Sequence, residues 1–321
     1  MRLPAELSQK IQEHVQEHHP GSLARAAEEL SERYRSDAGR RNALTSDLER
    51  AAYLVTRLPA TYAAVRAVLE ETQKRTPGTE IRSLLDLGSG PGTAAWAAAE
   101  IFPRLEQVTL LERDPEFIRV GGQLAAASPH SAIRGARWIQ ADLAGVGDLP
   151  AHDLVVLLYA LGELSAQEKL LKTAWAAARV ALVIVEPGTS RGFRTVLNAR
   201  TQLLGAAAHL AAPCPHESEC PMARGNDWCH FAQRLERSQL HRRAKSASMG
   251  YEDEKFSYIV AAKAEAMRVA ARVIRHPVQH KGHIRLELCT PEGLKQQVVT
   301  KRDREAFRRA RKADWGAEWE P

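Results

Sequence analysis

Cysteine is scarce in this 321-residue chain: there are four, and three share one window, Cys214-Pro-His-Glu-Ser-Glu-Cys220-Pro-Met-Ala-Arg-Gly-Asn-Asp-Trp-Cys229. The fourth, Cys289, ends the run Leu286-Glu-Leu-Cys289. Four thiolates are a full ligand set for an iron–sulfur cluster or a structural zinc. The spacing Cys-x5-Cys-x8-Cys is neither a pair of Cys-x2-Cys knuckles nor a ferredoxin run. Zinc and four unrelated buried thiols are therefore the competing readings. His216 and His230 flank a shell that the cysteines already complete. In a reducing compartment clustered cysteines favour metal over a disulfide.

A second constellation is Asp86-Leu-Gly88-Ser89-Gly90-Pro91-Gly92-Thr93, which follows an apolar run and opens an alanine-rich one. Glycines there allow a tight turn and let a ligand approach the backbone. The Gly-x-Gly-x-Gly spacing differs from the dinucleotide fingerprint, and no Gly-Lys-Ser/Thr is present, which excludes a P-loop. Glu112, 26 residues after Asp86, ends the next apolar run, where a carboxylate can hold ribose hydroxyls. Asp142 ends a third, where an adenine amino group would lie. The pattern resembles a class I S-adenosylmethionine-dependent methyltransferase, and that resemblance supplies the cofactor.

Methyl transfer needs positioning and often a base near the acceptor. After the fourth apolar run the chain reads Leu158-Tyr159-Ala-Leu-Gly-Glu163, without the Asn/Asp-Pro-Pro-aromatic turn of base N-methyltransferases. The segments directly after the fourth and fifth runs, Tyr159-Ala-Leu161 and Glu186-Pro-Gly-Thr189, contain no cysteine, so covalent C5 chemistry is not expected. Tyr159, Glu163 and Glu186 are the candidate catalytic residues, each with pocket packing as its plainer role.

Elements must carry these groups. Segments 9–18, 22–35 and 48–71 read as helices, punctuated at Pro20-Gly21 and Pro59, with Thr61 a further helix start. From residue 80, short buried-strand runs (81–87, 108–112, 138–140, 154–158, 181–185) alternate with helices at 93–101, 116–127, 166–178 and 191–210. Such alternation predicts a doubly wound, Rossmann-like α/β core. Strand-like runs return at 251–260, 272–275, 283–289 and 296–300, before a basic helix over 303–313. The expected organisation is a helical region 1–75, a cofactor-binding core 76–212, a four-cysteine insertion with a basic stretch 213–250, and C-terminal strands with a basic helix 251–321.

The formal net charge is +6 and the pI about 9.2, unevenly placed. Arg234, Arg237, Arg242, Arg243 and Lys245 form one basic run. Lys301, Arg302, Arg304, Arg308, Arg309, Arg311 and Lys312 form another. Concentrated positive charge is the footprint of a polyanion, here RNA rather than membrane. No run of about 18 apolar residues predicts a membrane span, and the acidic residues Glu6, Glu13 and Glu17 argue against a transit peptide. A cytoplasmic monomer is expected.

Several blocks together resemble one family, the methyltransferase-like proteins of the mitochondrial small ribosomal subunit and their bacterial relatives. They are Ala51-Ala-Tyr53-Leu, Arg57-Leu-Pro59-Ala-Thr-Tyr62, the glycine loop, Leu161-Gly-Glu-Leu164, Glu186-Pro-Gly-Thr189, the cysteine window, Glu252-Asp-Glu-Lys-Phe-Ser-Tyr258, Gly282-His283 and Trp315-Gly316. The resemblance implies a [4Fe-4S] cluster on Cys214, Cys220, Cys229 and Cys289. It also implies S-adenosylmethionine binding and association with small-subunit ribosomal RNA in a maturing 30S-type particle. The expected role is an assembly factor of the bacterial branch. An active ribosomal RNA methyltransferase is the first alternative, and a small-molecule methyltransferase with a zinc staple the second.

Overall fold

A computed structural model describes residues 1–35, 44–245 and 247–320. Part of the expected N-terminal helical region, residues 36–43, lies outside them. In chain order the elements are α1 (Ala5–Val15), α2 (Pro20–Arg35), α3 (Asp47–Arg75), β1 (Ser83–Leu87), α4 (Thr93–Ile101) and β2 (Gln107–Glu112). Next come α5 (Pro115–Ala126), α6 (Ser131–Arg134), β3 (Arg137–Gln140), β4 (His152–Leu158), a 3-10 turn Leu161–Glu163, α7 (Gln167–Ala177), β5 (Ala178–Pro187), α8 (Ser190–Gly205) and β6 (His209–Ala212). The remainder holds β7 (Phe231–Glu236), α9 (Gln239–Ala244), β8 (Tyr251–Ala262), β9 (Ala271–Val273), β10 (Val278–Gln279), β11 (His283–Thr290), β12 (Gly293–Thr300), α10 (Arg304–Ala310) and β13 (Glu318–Trp319).

Strands β1 to β5 are parallel and ordered β3-β2-β1-β4-β5. Strand β8 then joins β5 antiparallel, and its far edge pairs with β6 through one half and β7 through the other. Alternate strand residues serve two cores, because side chains alternate across a strand. Leu84, Val156 and Val183 pack with α3 and α4, whereas Leu85, Val155 and Leu182 pack with α7 and α8. Both faces being covered explains the continuous apolar runs. This is a Rossmann-like, class I methyltransferase-like α/β fold. Since β7 and β8 belong to the same sheet, the core extends past residue 212. A second, five-stranded antiparallel sheet, β9 to β13, encloses its own core of Ile284, Leu286, Leu288, Val299 and Trp319. Among the described residues no helix is long and apolar enough to cross a membrane.

Two expectations are corrected. Pro59 does not end a helix: α3 runs through it for 29 residues. An interior proline costs about 3 kcal/mol or more, which burial of Val55, Leu58, Tyr62 and Val65 offsets. The helix expected over 191–210 stops at Gly205, and Ala207 turns the chain with a φ of 57°. Leu210 is a strand residue, fully buried and paired with Ala261.

Candidate cofactor pocket and four-cysteine cavity

The glycine loop sits between the end of β1 and the start of α4. Gly88, Gly90 and Gly92 all take positive φ (78°, 53° and 84°), a region that L side chains rarely adopt. The amides of Gly88 and Ser89 donate to the Leu111 carbonyl, each at 2.9 Å, pinning the loop to β2. Glu112 reaches back from the end of β2. Its Oε2 accepts from the Gly90 amide at 2.8 Å, and its Oε1 accepts from the amides of Arg113 and Asp114. Thr93 and Pro91 complete the turn. Asp142 is exposed after β3 and accepts from the Ala144 amide.

Asp86 differs from its neighbours. It is fully buried, and neither carboxylate oxygen has a hydrogen-bond partner among the described residues. Burial, then repulsion from Glu112, pushes its pKa up to about 8. An orphaned buried carboxyl is costly, and a cationic ligand group would relieve it.

The candidate catalytic residues are already engaged. Tyr159 follows β4 with a φ of 55°, strained for a non-glycine residue. Its hydroxyl donates to Glu254 Oε1 at 3.2 Å, and the same oxygen pairs with Arg57 at 3.2 Å. Glu186 Oε1 accepts from the Gly162 amide at 3.0 Å; burial raises its pKa to about 7. Glu163 is exposed on the 3-10 turn. Arg57 on α3 and Glu254 on β8, 197 residues apart, enter the site without any spacing signal in the sequence. Only their place in the family-like blocks marked them.

The four cysteines line one cavity of about 40 Å³. On the measure by which one water needs about 10–15 Å³, that is room for a small polyatomic group. Phe193, Val196, Met222, Phe231, Tyr258 and Ile274 supply apolar walls. Cys289 comes from β11, whose neighbours β9 and β12 fix it opposite Arg272 and Leu294. The window that carries the other three is held by its backbone. Arg200 Nη2 donates to the carbonyls of His216 (3.2 Å) and Ser218 (2.6 Å), and Arg272 Nε to that of Pro213 (3.2 Å). Ser257 Oγ donates to the Cys229 carbonyl at 2.8 Å, and Trp228 Nε1 to that of Gly188 at 2.9 Å. His216 Nε2 lies 3.7 Å from Cys289 Sγ, and His230 Nδ1 meets the Trp228 carbonyl at 3.1 Å.

Burial, and then repulsion from neighbouring thiolates, hold the Cys229 and Cys289 thiols protonated, and burial raises Cys220 as well. Cys289 rises to about 12, through burial and then Cys214 and Cys220, and Cys229 rises well above its ordinary value for the same kinds of reason. Among the described residues no three His, Cys, Asp or Glu side chains stand close enough to clasp a single metal ion.

The acidic block on β8 explains the neighbouring basic run. Glu252 binds Arg237 at 2.7 Å and Lys245 at 2.8 Å, with His241 at 3.5 Å. Arg237 and Lys245 thus turn inward, which corrects their reading as RNA contacts. Arg234 pairs with Asp253 at 2.8 Å and lies over the Tyr251 ring. Arg242 and Arg243 are exposed on α9. Lys301, Arg302, Arg304, Arg308, Arg309, Arg311 and Lys312 are all exposed on and around α10, with Arg309 3.7 Å from Glu320.

The fold and these two sites define a methyltransferase-like protein with an added four-cysteine cavity. The chain belongs to the family described as mitochondrial small ribosomal subunit Rsm22, whose model matches residues 47–320. A human relative, the mitochondrial ribosome assembly protein METTL17, is 28% identical over 285 residues, covering 82% of this chain and 61% of that protein. The fission-yeast mitochondrial Rsm22-cox11 tandem protein 2 is 26% identical, covering 83% of this chain and 42% of its own length. The chain thus spans less than two thirds of the length of both relatives. Among solved structures, a putative RNA methyltransferase from Pyrococcus horikoshii aligns over 63% of this chain and 83% of its own, at 11% identity and a TM-score of 0.41. Magnesium protoporphyrin IX methyltransferase from Synechocystis, solved with bound SAH, aligns over 73% and 94%, at 10% identity and a TM-score of 0.40. The bacterial, cytoplasmic location expected from the sequence is corrected by these relatives: the curated matches are all named as mitochondrial proteins.

Proposed function

We propose that this chain is an assembly factor of the small ribosomal subunit. It binds S-adenosylmethionine at the glycine loop, holds a [4Fe-4S] cluster on its four cysteines, and docks on ribosomal RNA through its exposed cations. The observation that carries the reading is the convergence of Cys214, Cys220, Cys229 and Cys289 on one cavity, in a chain of this family. Once bound, a cluster would supply positive iron that partly offsets the repulsion among four thiolates and would tie the window to β11.

The glycine loop, with Asp86, Gly88, Ser89, Gly90, Pro91, Gly92 and Thr93, fits the methionine end of the cofactor. Asp86 would receive its ammonium, Glu112 its ribose hydroxyls and Asp142 its adenine amino group. Arg242, Arg243, Lys301, Arg302, Arg304, Arg308, Arg311 and Lys312 supply phosphate contacts, which give affinity with little sequence reading. Arg234 and Arg309, each beside a carboxylate, contribute less. Off the ribosome the protein is a monomer.

A second reading, an active ribosomal RNA methyltransferase, is favoured by the intact glycine loop and by Asp86, which is unpartnered among the described residues. Against it stands the Tyr159–Glu254–Arg57 cluster, which occupies the groups that would otherwise face an acceptor. Anaerobic purification with iron and sulfide analysis tests the cluster. About four irons and four sulfides per chain are expected, whereas zinc without sulfide refutes it. Label transfer from tritiated S-adenosylmethionine to immature small subunits would establish the enzyme reading; binding without transfer supports the assembly factor.

A further inference from the structure

Two arginines are buried beside the cysteines, and they are not alike. Arg272, 2% exposed, has a partner on each nitrogen: Nε on the Pro213 carbonyl (3.2 Å), Nη1 on that of Gly316 (2.9 Å) and Nη2 on Glu71 Oε2 (2.9 Å). Its charge is answered by Glu71, and it acts as a pin between α3, the cysteine window and the second sheet. Arg200, 5% exposed on α8, lines the same cavity. Its Nη2 holds two carbonyls of the window, but its Nε is buried without a partner. No carboxylate pairs with Arg200 among the described residues.

A guanidinium stays charged in any protein environment and carries five donors in a rigid fork. A buried cation with an unused N–H in a cavity lined by four sulfurs calls for an anionic acceptor there. We infer that Arg200 is a positioning residue for the cysteine-held group, its Nε–H donating to a sulfur of that group while its fork fixes the loop between Cys214 and Cys220. This rests on the cluster reading above. A cluster on four thiolates is anionic, so it answers both the charge and the spare donor.

Hydrogen bonds to cluster sulfurs and nearby positive charge favour the reduced, more negative state and raise the reduction potential. The test uses the full chain, purified anaerobically, with iron and sulfide measured before potentiometric titration. Arg200→Met removes charge and donors, Arg200→Lys keeps the charge but loses the Nε–H and the planar fork, and Arg268→Met is the control. Arg268 pairs with Glu217 at 2.6 Å and does not line the cavity. The midpoint should move to more negative values in the order Arg200→Lys, then Arg200→Met, with Arg268→Met at the wild-type value.

An Arg200→Met protein with full iron and sulfide and an unshifted midpoint overturns the inference. Should that variant not retain its cluster, wild-type protein labelled with 15N at arginine Nε decides. A nitrogen hyperfine coupling to the reduced cluster supports the bond, and its absence overturns it. Zinc in place of iron and sulfide would instead overturn the cluster reading, and is distinguished at the metal-analysis step.

Discussion

The glycine-loop pocket and the four-cysteine cavity both lean on β8, through Glu254 and Ser257 respectively, yet they are held together in opposite ways. The pocket is local. Its loop is pinned by backbone amides to β2, and the Glu112 carboxylate is satisfied by three of them. The cavity gathers groups of one kind, three thiols from the loop window between β6 and β7 and one from β11, whose ionised forms repel. A pocket of the first kind stands ready before its ligand arrives. A cavity of the second kind reaches its full stability only with a bound group that reverses the repulsion, so binding there is also folding.

The sharpest way to break this contrast is Cys289→Ser. It should abolish metal binding and remove metal-linked folding free energy on the order of 10 kcal/mol, the scale of closed structural sites. Hydrogen exchange should then show β9 to β13 losing protection while β1 and β2 keep theirs. Equal loss in both sheets would mean that pocket and cavity form one cooperative unit.

Glu252→Gln comes next. It leaves Arg237 and Lys245 half-buried without their carboxylate, at about 3–5 kcal/mol, measurable by denaturant unfolding. Burial pushes the Glu252 carboxyl up, but the nearby His241 and the hydrogen bonds from Lys245 and Arg237 outweigh this and hold it far below the usual range. Its contribution is therefore present above the ordinary glutamate pKa, about 4.3, and lost as pH falls below it. The variant should show a blunted acid loss in that window, and an unchanged acid profile would remove Glu252 as its source.

Asp86→Asn separates pocket from cavity. Affinity for S-adenosylmethionine should fall about 10- to 100-fold, or about 1.5–3 kcal/mol for one charge-assisted bond, with iron content unchanged. Because folding raises this group to about 8, the wild type loses stability as pH rises from about 4 through that value, whereas the ligand-free variant does not. Calorimetric titration and melting at pH 6 and pH 9 would show both effects. Unaltered affinity would exclude Asp86 as a cofactor contact.

The smallest structural effect belongs to Arg308→Glu with Arg311→Glu. Stability should stay within about 0.5 kcal/mol, while the slope of log affinity for RNA against log salt flattens by about 2. An unchanged slope would move the RNA face to Arg242 and Arg243.

By itself the sequence determined the parts that are local in the chain. Gly88, Gly90 and Gly92 announce a loop that only glycine can follow comfortably, and apolar runs of strand length alternating with alanine-rich helices announce a doubly wound sheet. Cys214, Cys220 and Cys229 announce a shared thiol window, because they fall within one short segment. Tertiary structure alone decided what depends on distant partners. Pro59 lies inside a helix because burial outweighs one lost backbone bond, and Leu210 is a strand residue because β8 pairs with it. Arg237 and Lys245 face inward because Glu252 waits there, although their composition matches that of the exposed cations on α10. Cys289 reaches the other cysteines only through the register of β11, and Arg57 meets Glu254 across 197 residues. Residue type and spacing encode what a short segment can do; which charge is answered, and by what, is settled only when separate segments share one desolvated interior.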